Sequence, residues 1–247
     1  MPATPAWPPQ STPRLFVDRM LGEGPIRIDG PAAHYLVSVM RTRIGDPVKL
    51  FDDRSGEWLA VAASVGKRDL TLDVTERLRE REAVPDLWLC AAPLKKGRVD
   101  WLAEKACELG VARLVPVVTR RTVVDKPNTE RLRAHMIEAA EQCGRTALPQ
   151  VAEPVKLTAL LRDWSPERAL FFADETGGAP ALTAMAAHRG PAAILIGPEG
   201  GFDAEEREAI RAHPAAIGIG LGPRILRADT AAAAAVSLWM AAAGDWG

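Results

Sequence analysis

Cysteine is scarce in this chain of 247 residues, which contains only Cys90, Cys107 and Cys143 and no C-x-x-C pair. An odd and widely spaced set of three cysteines argues against a disulfide framework and against a zinc site. Such a set fits a reducing compartment. The sequence therefore predicts a cytoplasmic protein that binds no metal.

Long apolar runs are also missing, and none approaches the roughly 18 residues that a membrane-spanning helix needs. Residues 1–13 contain five prolines and no apolar segment of the kind found in secretory signals. We therefore expect no membrane partner, and we interpret residues 1–13 as a disordered tail.

The usual nucleotide-binding motifs are absent too. The chain has no P-loop lysine followed by serine or threonine, and no G-x-G-x-x-G follows the first strand of either predicted region. These absences argue against a P-loop enzyme and against a Rossmann dehydrogenase.

A strong overall charge is lacking, because the net charge is −1. The distribution along the chain is uneven. Residues 94–145 carry 11 Lys and Arg against 7 Asp and Glu, a net +4, whereas residues 146–247 carry 8 against 12, a net −4. The middle segment could form a basic face for a nucleic acid, although solvated helix faces would give the same count.

Hydrophobic periodicity divides the chain at the charged run 77–82, just before Pro85. Short strands at 14–17, 48–51, 58–65 and 70–74, with a helix at 31–43, predict a small barrel over residues 14–82. Residues 83–247 alternate strands and helices, with strands at 87–92, 114–118, 170–173, 193–196 and 217–221. That alternation is typical of a mostly parallel sheet covered by helices on both faces.

Two of these strands end in glycine-rich turns. The strand at 193–196 is followed by the sequence GPEGG, and the strand at 217–221 is followed by GPR. Ligands bind at the carboxyl ends of strands in open α/β sheets, where glycine lets backbone groups approach them closely. The pair of loops therefore predicts a ligand site.

Both loops resemble the C-terminal motifs of the RsmE family, ribosomal RNA (uracil-N3)-methyltransferases of the SPOUT class. Residues 196–202 read IGPEGGF, and residues 221–231 read LGPRILRADTA. Weaker matches are LKKGR at 94–98, EKACELGV at 104–111, AEQCGR at 140–145 and MRTRIGD at 40–46. Asp229 stands where the family more often has Glu, and Met40 where it usually has Leu.

The resemblance spans about residues 14–240 and implies an α/β fold. It implies a C-terminal SPOUT domain, residues 83–247, with a trefoil-knotted, mostly parallel sheet. A small PUA-like β-barrel that contacts RNA, residues 14–82, would precede that domain. The implied cofactor is S-adenosylmethionine, the implied substrate is a uridine of small-subunit (16S) ribosomal RNA, free or in the ribosomal subunit, and the implied assembly is a homodimer. The apolar final helix, predicted at 229–242, also favours a homodimer, because it has more apolar surface than one sheet face needs.

The two loops supply the expected cofactor-binding residues, which are Ile196, Gly197, Pro198, Glu199, Gly200, Gly201, Leu221, Gly222, Arg224, Ile225, Leu226, Arg227 and Thr230. The expected RNA-binding residues are Arg14, His34, Arg41, Arg43, Lys95, Lys96 and Arg145.

The candidate catalytic residues are Glu199 and Arg227. A carboxylate at Glu199 could meet the ribose, the sulfonium or the base, or it could order its own loop. A guanidinium at Arg227 could stabilise charge on a uracil carbonyl as N3 loses its proton, and Arg14 or Arg145 could do the same. Two other functions stay open at this point. One is a SPOUT enzyme for transfer RNA or a ribose 2′-hydroxyl, and the other is a non-catalytic RNA-binding protein of the same fold.

Overall fold

The computed structural model describes residues 12–95, 97–124 and 126–247. These divide into two compact units, one of residues up to Ala83 with Glu141–Ala147, the other of Val84–Ala140 with Leu148–Gly247. The first unit thus includes Glu141–Ala147, which the expected boundary assigned to the second domain. Of the expected tail, residues 1–11 lie outside the described residues.

In the described part of the first unit, five strands form one mixed sheet in the order β1-β3-β4-β5-β2. The strands are β1 (Arg14–Phe16), β2 (Gly24–Ile28), β3 (Pro47–Phe51), β4 (Glu57–Val65) and β5 (Leu70–Arg79). β1 pairs in parallel with β3, and the other pairs are antiparallel. β2 lay outside the sequence prediction.

The sheet of the first unit has one apolar face, and β5 illustrates why. Leu70, Leu72 and Val74 are buried, whereas Asp73 between them is exposed. This period of two places every second side chain on the core face. The same core contains Leu50 of β3 and Ile26 of β2.

The helix predicted at 31–43 is shorter than expected. α1 (Gly30–His34) continues as one π-helical segment, Tyr35–Val39, and helical structure ends there. Arg41 then adopts a positive φ of 56°, and the Thr42 amide donates to the Leu36 carbonyl at 3.0 Å. This turn closes the helix four residues before the predicted end, because a left-handed residue cannot continue a right-handed helix.

The charged run 77–82 is partly strand, since β5 extends to Arg79. A buried carboxylate on β4 explains the extension. Glu57 accepts from Arg14 Nε at 2.5 Å and from Arg79 Nε at 3.0 Å. Burial acts to raise the pKa of Glu57, but hydrogen bonds from Arg79 and Arg14 outweigh it and lower that pKa. Arg79 of this charged run is 45% exposed, but it pairs with a buried carboxylate, so this part of the run belongs to the first unit's sheet and not to a linker.

The second unit is built on a parallel sheet with strand order β11-β13-β10-β12-β6-β7-β8, and β9 pairs with β7. Its strands are β6 (Leu87–Ala91), β7 (Arg113–Val118), β8 (Gln150–Val151), β9 (Val155–Lys156), β10 (Ala169–Ala173), β11 (Ala179–Pro180), β12 (Ala192–Ile196) and β13 (Ala216–Gly220). Its helices are α2 (Arg98–Glu108), α3 (Thr129–Cys143), α4 (Leu157–Arg162), α5 (Ala181–Ala186), α6 (Ala204–Arg211) and α7 (Ala228–Ala243). The last three residues of α3 are counted with the first unit.

The predicted α/β class with a mostly parallel sheet is confirmed, since every strand pair of this sheet is parallel. All five residues of β12 are buried, as expected for a continuous apolar run in a sheet covered on both faces. A capping box forms at the start of α6, where the Glu206 amide donates to Asp203 Oδ1 at 2.7 Å. The strands outside the prediction are β8, β9 and β11.

The apolar surface of α7 is largely covered within its own unit. Val236, Trp239 and Met240 are buried, and the helix packs on α2, α5, β6 and β12. Leu238 is only half-buried. The excess apolar surface inferred from the sequence is therefore much smaller than expected. Among the described residues, no helix has both the length and the apolarity to cross a membrane.

The first unit contains a second buried carboxylate whose role can be tested. Asp52 is 3% exposed and accepts from the amides of Leu21 and Ser55, each at 2.7 Å. Burial acts to raise the pKa of Asp52, but these hydrogen bonds hold it below its ordinary value of 3.8. Asparagine replaces one carboxylate oxygen with an NH2 group. That group is a hydrogen-bond donor, so a backbone N–H would face a donor in place of an acceptor. We expect Asp52→Asn to lower the free energy of unfolding by about 1–3 kcal/mol near neutral pH, measured by urea denaturation.

The half-buried neighbour Asp53, which pairs with Arg81 at 3.1 Å, supplies the control. Asp53→Asn should lower the free energy of unfolding by well under half as much as Asp52→Asn does. Because the folded-state pKa of Asp52 is lowered, its stabilisation is present above pH 3.8 and is lost as the pH falls through the folded value. A gap between wild type and Asp52→Asn that does not shrink in acid would contradict this account.

Candidate active site

A cleft of about 500 Å³ opens at the carboxyl edge of the second unit's sheet. Three adjacent parallel strands, β13, β10 and β12, end beside it. Its lining consists of Arg98, Phe172, Ala173, Asp174, Glu175, Ile196, Gly197, Pro198, Glu199, Gly201, Phe202, Arg207, Ile219, Gly220, Leu221, Gly222, Pro223, Arg224, Ile225, Leu226, Arg227, Ala228 and Ala231. The cleft is within the size range of small-molecule sites, and most of its lining residues belong to the loops that follow these strands.

The glycine loop, residues 197–203, follows β12. The Gly201 amide donates to the Pro198 carbonyl at 2.8 Å and closes a turn. Gly201 has a φ of +68°, and a Cβ at Gly197 would lie 3.1 Å from the Phe202 ring. A side chain at either position would strain the backbone or crowd that ring, so the loop needs glycine for its shape.

The arginine loop, residues 221–227, follows β13. Gly222 has a φ of +101° with open space around it. Arg224 and Arg227 are exposed and line the cleft, and Ile225 between them is 87% exposed. Arg227 is also the N-cap of α7. The loop therefore presents two cations and one apolar side chain at the mouth of the cleft.

A third loop, which the sequence analysis missed, completes the cleft. Asp174 and Glu175 directly follow β10 and line the same cavity. Arg211 donates to the buried Asp174 carboxylate at 2.6 Å, and Arg207 donates to Glu175 at 2.9 Å. Burial acts to raise the pKa of Asp174, but the bonds from Arg211 and Thr176 lower it. We name residues 174–178 the acidic loop.

A signal for the acidic loop was present in the sequence. The strand at 170–173 was predicted, and two carboxylates come immediately after it. Carboxyl ends of neighbouring parallel strands meet at one edge of a sheet. What the sequence did not give was the strand order that places β10 between β12 and β13.

Most of the expected cofactor-binding residues come together in the cleft. Residues 196–199, 201, 221, 222 and 224–227 line it. Gly200 and Thr230 are not part of the lining. A Cβ at Gly200 would instead lie 3.5 Å from the Arg121 side chain, and the Thr230 amide donates to its neighbour Asp229.

Charges around the cleft are mostly paired. Arg98 Nη1 lies 3.5 Å from Glu199, and Arg98 Nε lies 3.9 Å from Asp229. Arg224 and Arg227 form no ion pair with another described residue. The described lining thus leaves two cations available to a ligand or substrate.

Two of the expected RNA-binding residues are placed against that role. The Arg14 side chain is 11% exposed and donates to Glu57 and to the carbonyls of Glu141 and Arg145. Arg145 is 5% exposed and donates to the Ala147 carbonyl. A buried guanidinium committed to protein acceptors is not free for a phosphate. This placement argues for a structural role for both and also removes them as alternatives to Arg227.

The remaining expected RNA contacts lie at the surface. His34, Arg41 and Arg43 are exposed in the first unit, and Lys95 is exposed in the second. Lys96 lies outside the described residues.

The positive charge of residues 94–145 is less available than its count suggests. Arg98 pairs with Glu199 and Asp229, and Arg120 pairs with Asp203 at 2.9 Å and Glu205 at 2.6 Å. The acidic C-terminal third therefore neutralises part of the basic middle segment. These two arginines are therefore paired with carboxylates and do not form an RNA face.

The cysteines supply no nucleophile at the cleft. Cys90 and Cys107 are buried, and burial raises the pKa of the Cys90 thiol to about 12. Across the described ranges, no group of His, Cys, Asp or Glu is arranged to hold a metal ion.

The chain matches two known domain families. Residues 80–240 match the RNA methyltransferase domain model, and residues 28–75 match the RNA methyltransferase PUA domain model. A methyltransferase structure from Legionella pneumophila with bound SAM is 28% identical, with a TM-score of 0.84 over 95% of this chain and 99% of that one. A Neisseria gonorrhoeae ribosomal RNA small subunit methyltransferase E bound to S-adenosyl methionine shares the fold at 24% identity, with a TM-score of 0.87 over 96% and 100% of the two chains.

Sequence relatives agree with the structural ones. The ribosomal RNA small subunit methyltransferase E of Synechocystis is 30% identical over 87% of this chain and 72% of its own length. That of Rickettsia conorii is 29% identical over 83% of this chain and 84% of its own length. The chain belongs to the ribosomal RNA small subunit methyltransferase E family, with the family's RNA methyltransferase domain and PUA domain.

Proposed function

We propose that this protein transfers a methyl group from S-adenosylmethionine to N3 of a uridine in small-subunit ribosomal RNA. The observation that carries the proposal is the cleft formed by the glycine loop and the arginine loop in a chain of this family. Nucleoside analysis by mass spectrometry, applied to small-subunit RNA from a strain lacking the protein, tests it. Loss of N3-methyluridine, restored by complementation, is the expected result. Unchanged modification would contradict the proposal.

The cleft suits S-adenosylmethionine in size and chemistry. Backbone groups of the glycine loop and the arginine loop would hold the adenosine part, because Gly197, Gly201 and Gly222 keep side chains out of the way. The carboxylates of Glu175 and Glu199 suit a cationic, amine-bearing ligand better than a phosphate. When bound, the cofactor supplies the reactive methyl group.

Arg227 and Glu199 are the residues we assign to the chemistry. Arg227 is exposed at the cleft mouth without an ion pair to another described residue, so its guanidinium is available to the base. As N3 loses its proton, negative charge spreads to the uracil carbonyls, where a fixed cation stabilises it. Arg98 orients Glu199 through the 3.5 Å ion pair, and that carboxylate is our candidate for the group that meets the ribose or accepts the proton.

A matched pair of glycines tests the cofactor site. Gly222 and Gly190 both have positive φ, +101° and +127°, with open space around them, but only Gly222 lines the cleft. Alanine should cost each about 1–3 kcal/mol of stability through backbone strain. We expect Gly222→Ala to weaken S-adenosylmethionine binding by roughly tenfold in calorimetry. Gly190→Ala should leave the affinity for S-adenosylmethionine unchanged. If the two variants bind S-adenosylmethionine equally well, the arginine loop is not part of the cofactor site.

The catalytic assignment of Arg227 makes a kinetic prediction. Arg227→Ala should lower kcat about 10²–10³-fold, the usual cost of removing one charge-stabilising donor. The dissociation constants for RNA and cofactor should change much less, because the contact strengthens as charge develops. Single-turnover methylation at saturating substrates measures this, with Arg224→Ala as the control on the same loop. A defect confined to KM would assign Arg227 to binding alone.

The surface loop 39–45 of the first unit supports the RNA proposal. Val39 is 60% and Ile44 71% exposed, next to the exposed Arg41 and Arg43. Two features order the loop. Thr42 is buried, and the Arg43 amide donates to the Asp46 carboxylate at 2.7 Å. Exposed arginines can contact RNA phosphates, and their guanidinium planes can stack on unpaired bases.

Salt dependence tests this loop. The logarithm of the RNA association constant falls linearly with the logarithm of the salt concentration. For single-stranded RNA, each phosphate contact adds about 0.7 to the steepness of that line. Arg41→Gln with Arg43→Gln should therefore flatten the slope by about 1.4 and leave cofactor affinity unchanged. The control removes the same charge from the exposed β4–β5 turn, as Lys67→Gln with Arg68→Gln. If the control flattens the slope equally, the loop is no specific contact.

Several expectations from the sequence stay part of the proposal. We infer that residues 14–82, which include His34, bind RNA together with Lys95 and Lys96. We infer that residues 83–247 bind the cofactor in a trefoil knot. We also infer that the protein works in the cytoplasm as a homodimer. The half-buried Leu238 on α7 is what remains of the apolar surface that suggested a dimer, and the mass in solution tests this.

A further inference from the structure

The helix α6 is bonded to two loops that are not its neighbours in sequence. Near its start, Glu206 Oε1 accepts from the Arg120 amide at 2.8 Å. Further along, Arg207 binds Glu175, and Arg211 binds Asp174. The loops after β7 and β10 are therefore tied to the helix that continues from the glycine loop.

The loop after β7 begins with a rigid turn, residues 119–122, which we name the threonine turn. The Thr119 amide donates to the Thr122 hydroxyl at 2.9 Å, and the Thr122 amide donates back to the Thr119 carbonyl at 3.1 Å. Thr119 is buried. Turns closed in this way by hydroxyl groups have little freedom, so the threonine turn can act as a fixed support.

From that support, Arg121 reaches the glycine loop. Its Nη1 donates to the Gly200 carbonyl at 2.6 Å, and its aliphatic stem lies along the Gly200 backbone, 3.5 Å from where a Cβ would be. Neither Arg121 nor Gly200 lines the cleft. Arg121 can therefore affect a ligand in the cleft only through the loop.

The contact fixes one peptide plane at both ends. The Gly200 carbonyl is held by Arg121, and the amide of the same peptide, that of Gly201, is held by the Pro198 carbonyl at 2.8 Å. A peptide bond is planar, so two such bonds determine its orientation. Gly201 is a cleft residue with positive φ, and its conformation depends on that orientation.

We propose that Arg121 is a positioning residue that holds the glycine loop in its binding shape before S-adenosylmethionine arrives. A loop with three glycines has much conformational freedom to lose on binding. A loop ordered in advance loses less of it and binds more tightly. The inference rests on the proposed function, because it takes S-adenosylmethionine as the ligand of the cleft.

The test compares three variants by calorimetry with S-adenosylmethionine and by steady-state kinetics. Arg121→Met keeps the stem over Gly200 and removes the donor, and we expect about a tenfold loss of cofactor affinity. The loss should be seen in the KM for the cofactor, with kcat at saturation close to wild type. Arg121→Lys, which still donates, should recover most of the affinity. Arg120→Met is the control. It removes the same charge and the ion pairs with Asp203 and Glu205, but it keeps the Arg121 bond to the Gly200 carbonyl and the backbone bond to Glu206.

Either wild-type affinity in Arg121→Met or an equal loss in Arg120→Met would overturn the inference. Hydrogen exchange of the wild-type protein without cofactor gives a readout independent of variant folding. The Gly201 amide should be protected, and exchange at the rate of an open loop would also overturn it. Failure of the proposed function looks different, because the wild-type protein would then not bind S-adenosylmethionine at all.

Discussion

A buried parallel strand can carry no chemistry along its length, and this constraint organises the second unit. All five residues of β12 are buried, so polar groups there would lose their water without compensation. Functional side chains must therefore lie where the strands end. The adjacent strands β13, β10 and β12 end at one edge, and the glycine, acidic and arginine loops follow directly. The cleft is a consequence of strand order combined with burial.

Ion pairs decide which charges of this nearly neutral protein face outward. Acidic residues of the C-terminal third pair with Arg98 and Arg120 of the middle segment, and α6 binds the acidic loop through Arg207 and Arg211. These pairs order loops around the cleft and neutralise cations that a count along the sequence assigns to RNA. The cations left at the cleft mouth, Arg224 and Arg227, gain significance because so many others are committed.

The arginines of the first unit also fall into two groups, those bonded to other protein groups and those on an exposed loop. Arg14 and Arg79 surround the buried Glu57, and Arg145 is buried with its guanidinium donating to the chain. Arg41 and Arg43 lie on an exposed loop. A buried carboxylate needs charged or hydrogen-bonding partners, so some arginines of an RNA-binding chain are required inside. Residue type alone does not separate the two groups, whereas the contacts do, since Arg79 donates to the buried Glu57 although its own side chain is 45% exposed.

The sequence by itself determined the fold class, the principal strands of the second unit and both glycine-rich loops, since apolar periodicity and glycine placement are local properties. It also identified the family from the two C-terminal motifs. Only the tertiary structure decided that the acidic loop joins the cleft, that Arg14 and Arg145 are buried, and that Arg121 supports Gly200. Each of these depends on strand order or on a contact between distant segments. The helix at 31–43 was misjudged for a related reason, because the positive φ of Arg41 is set by the turn that packs Thr42 inside.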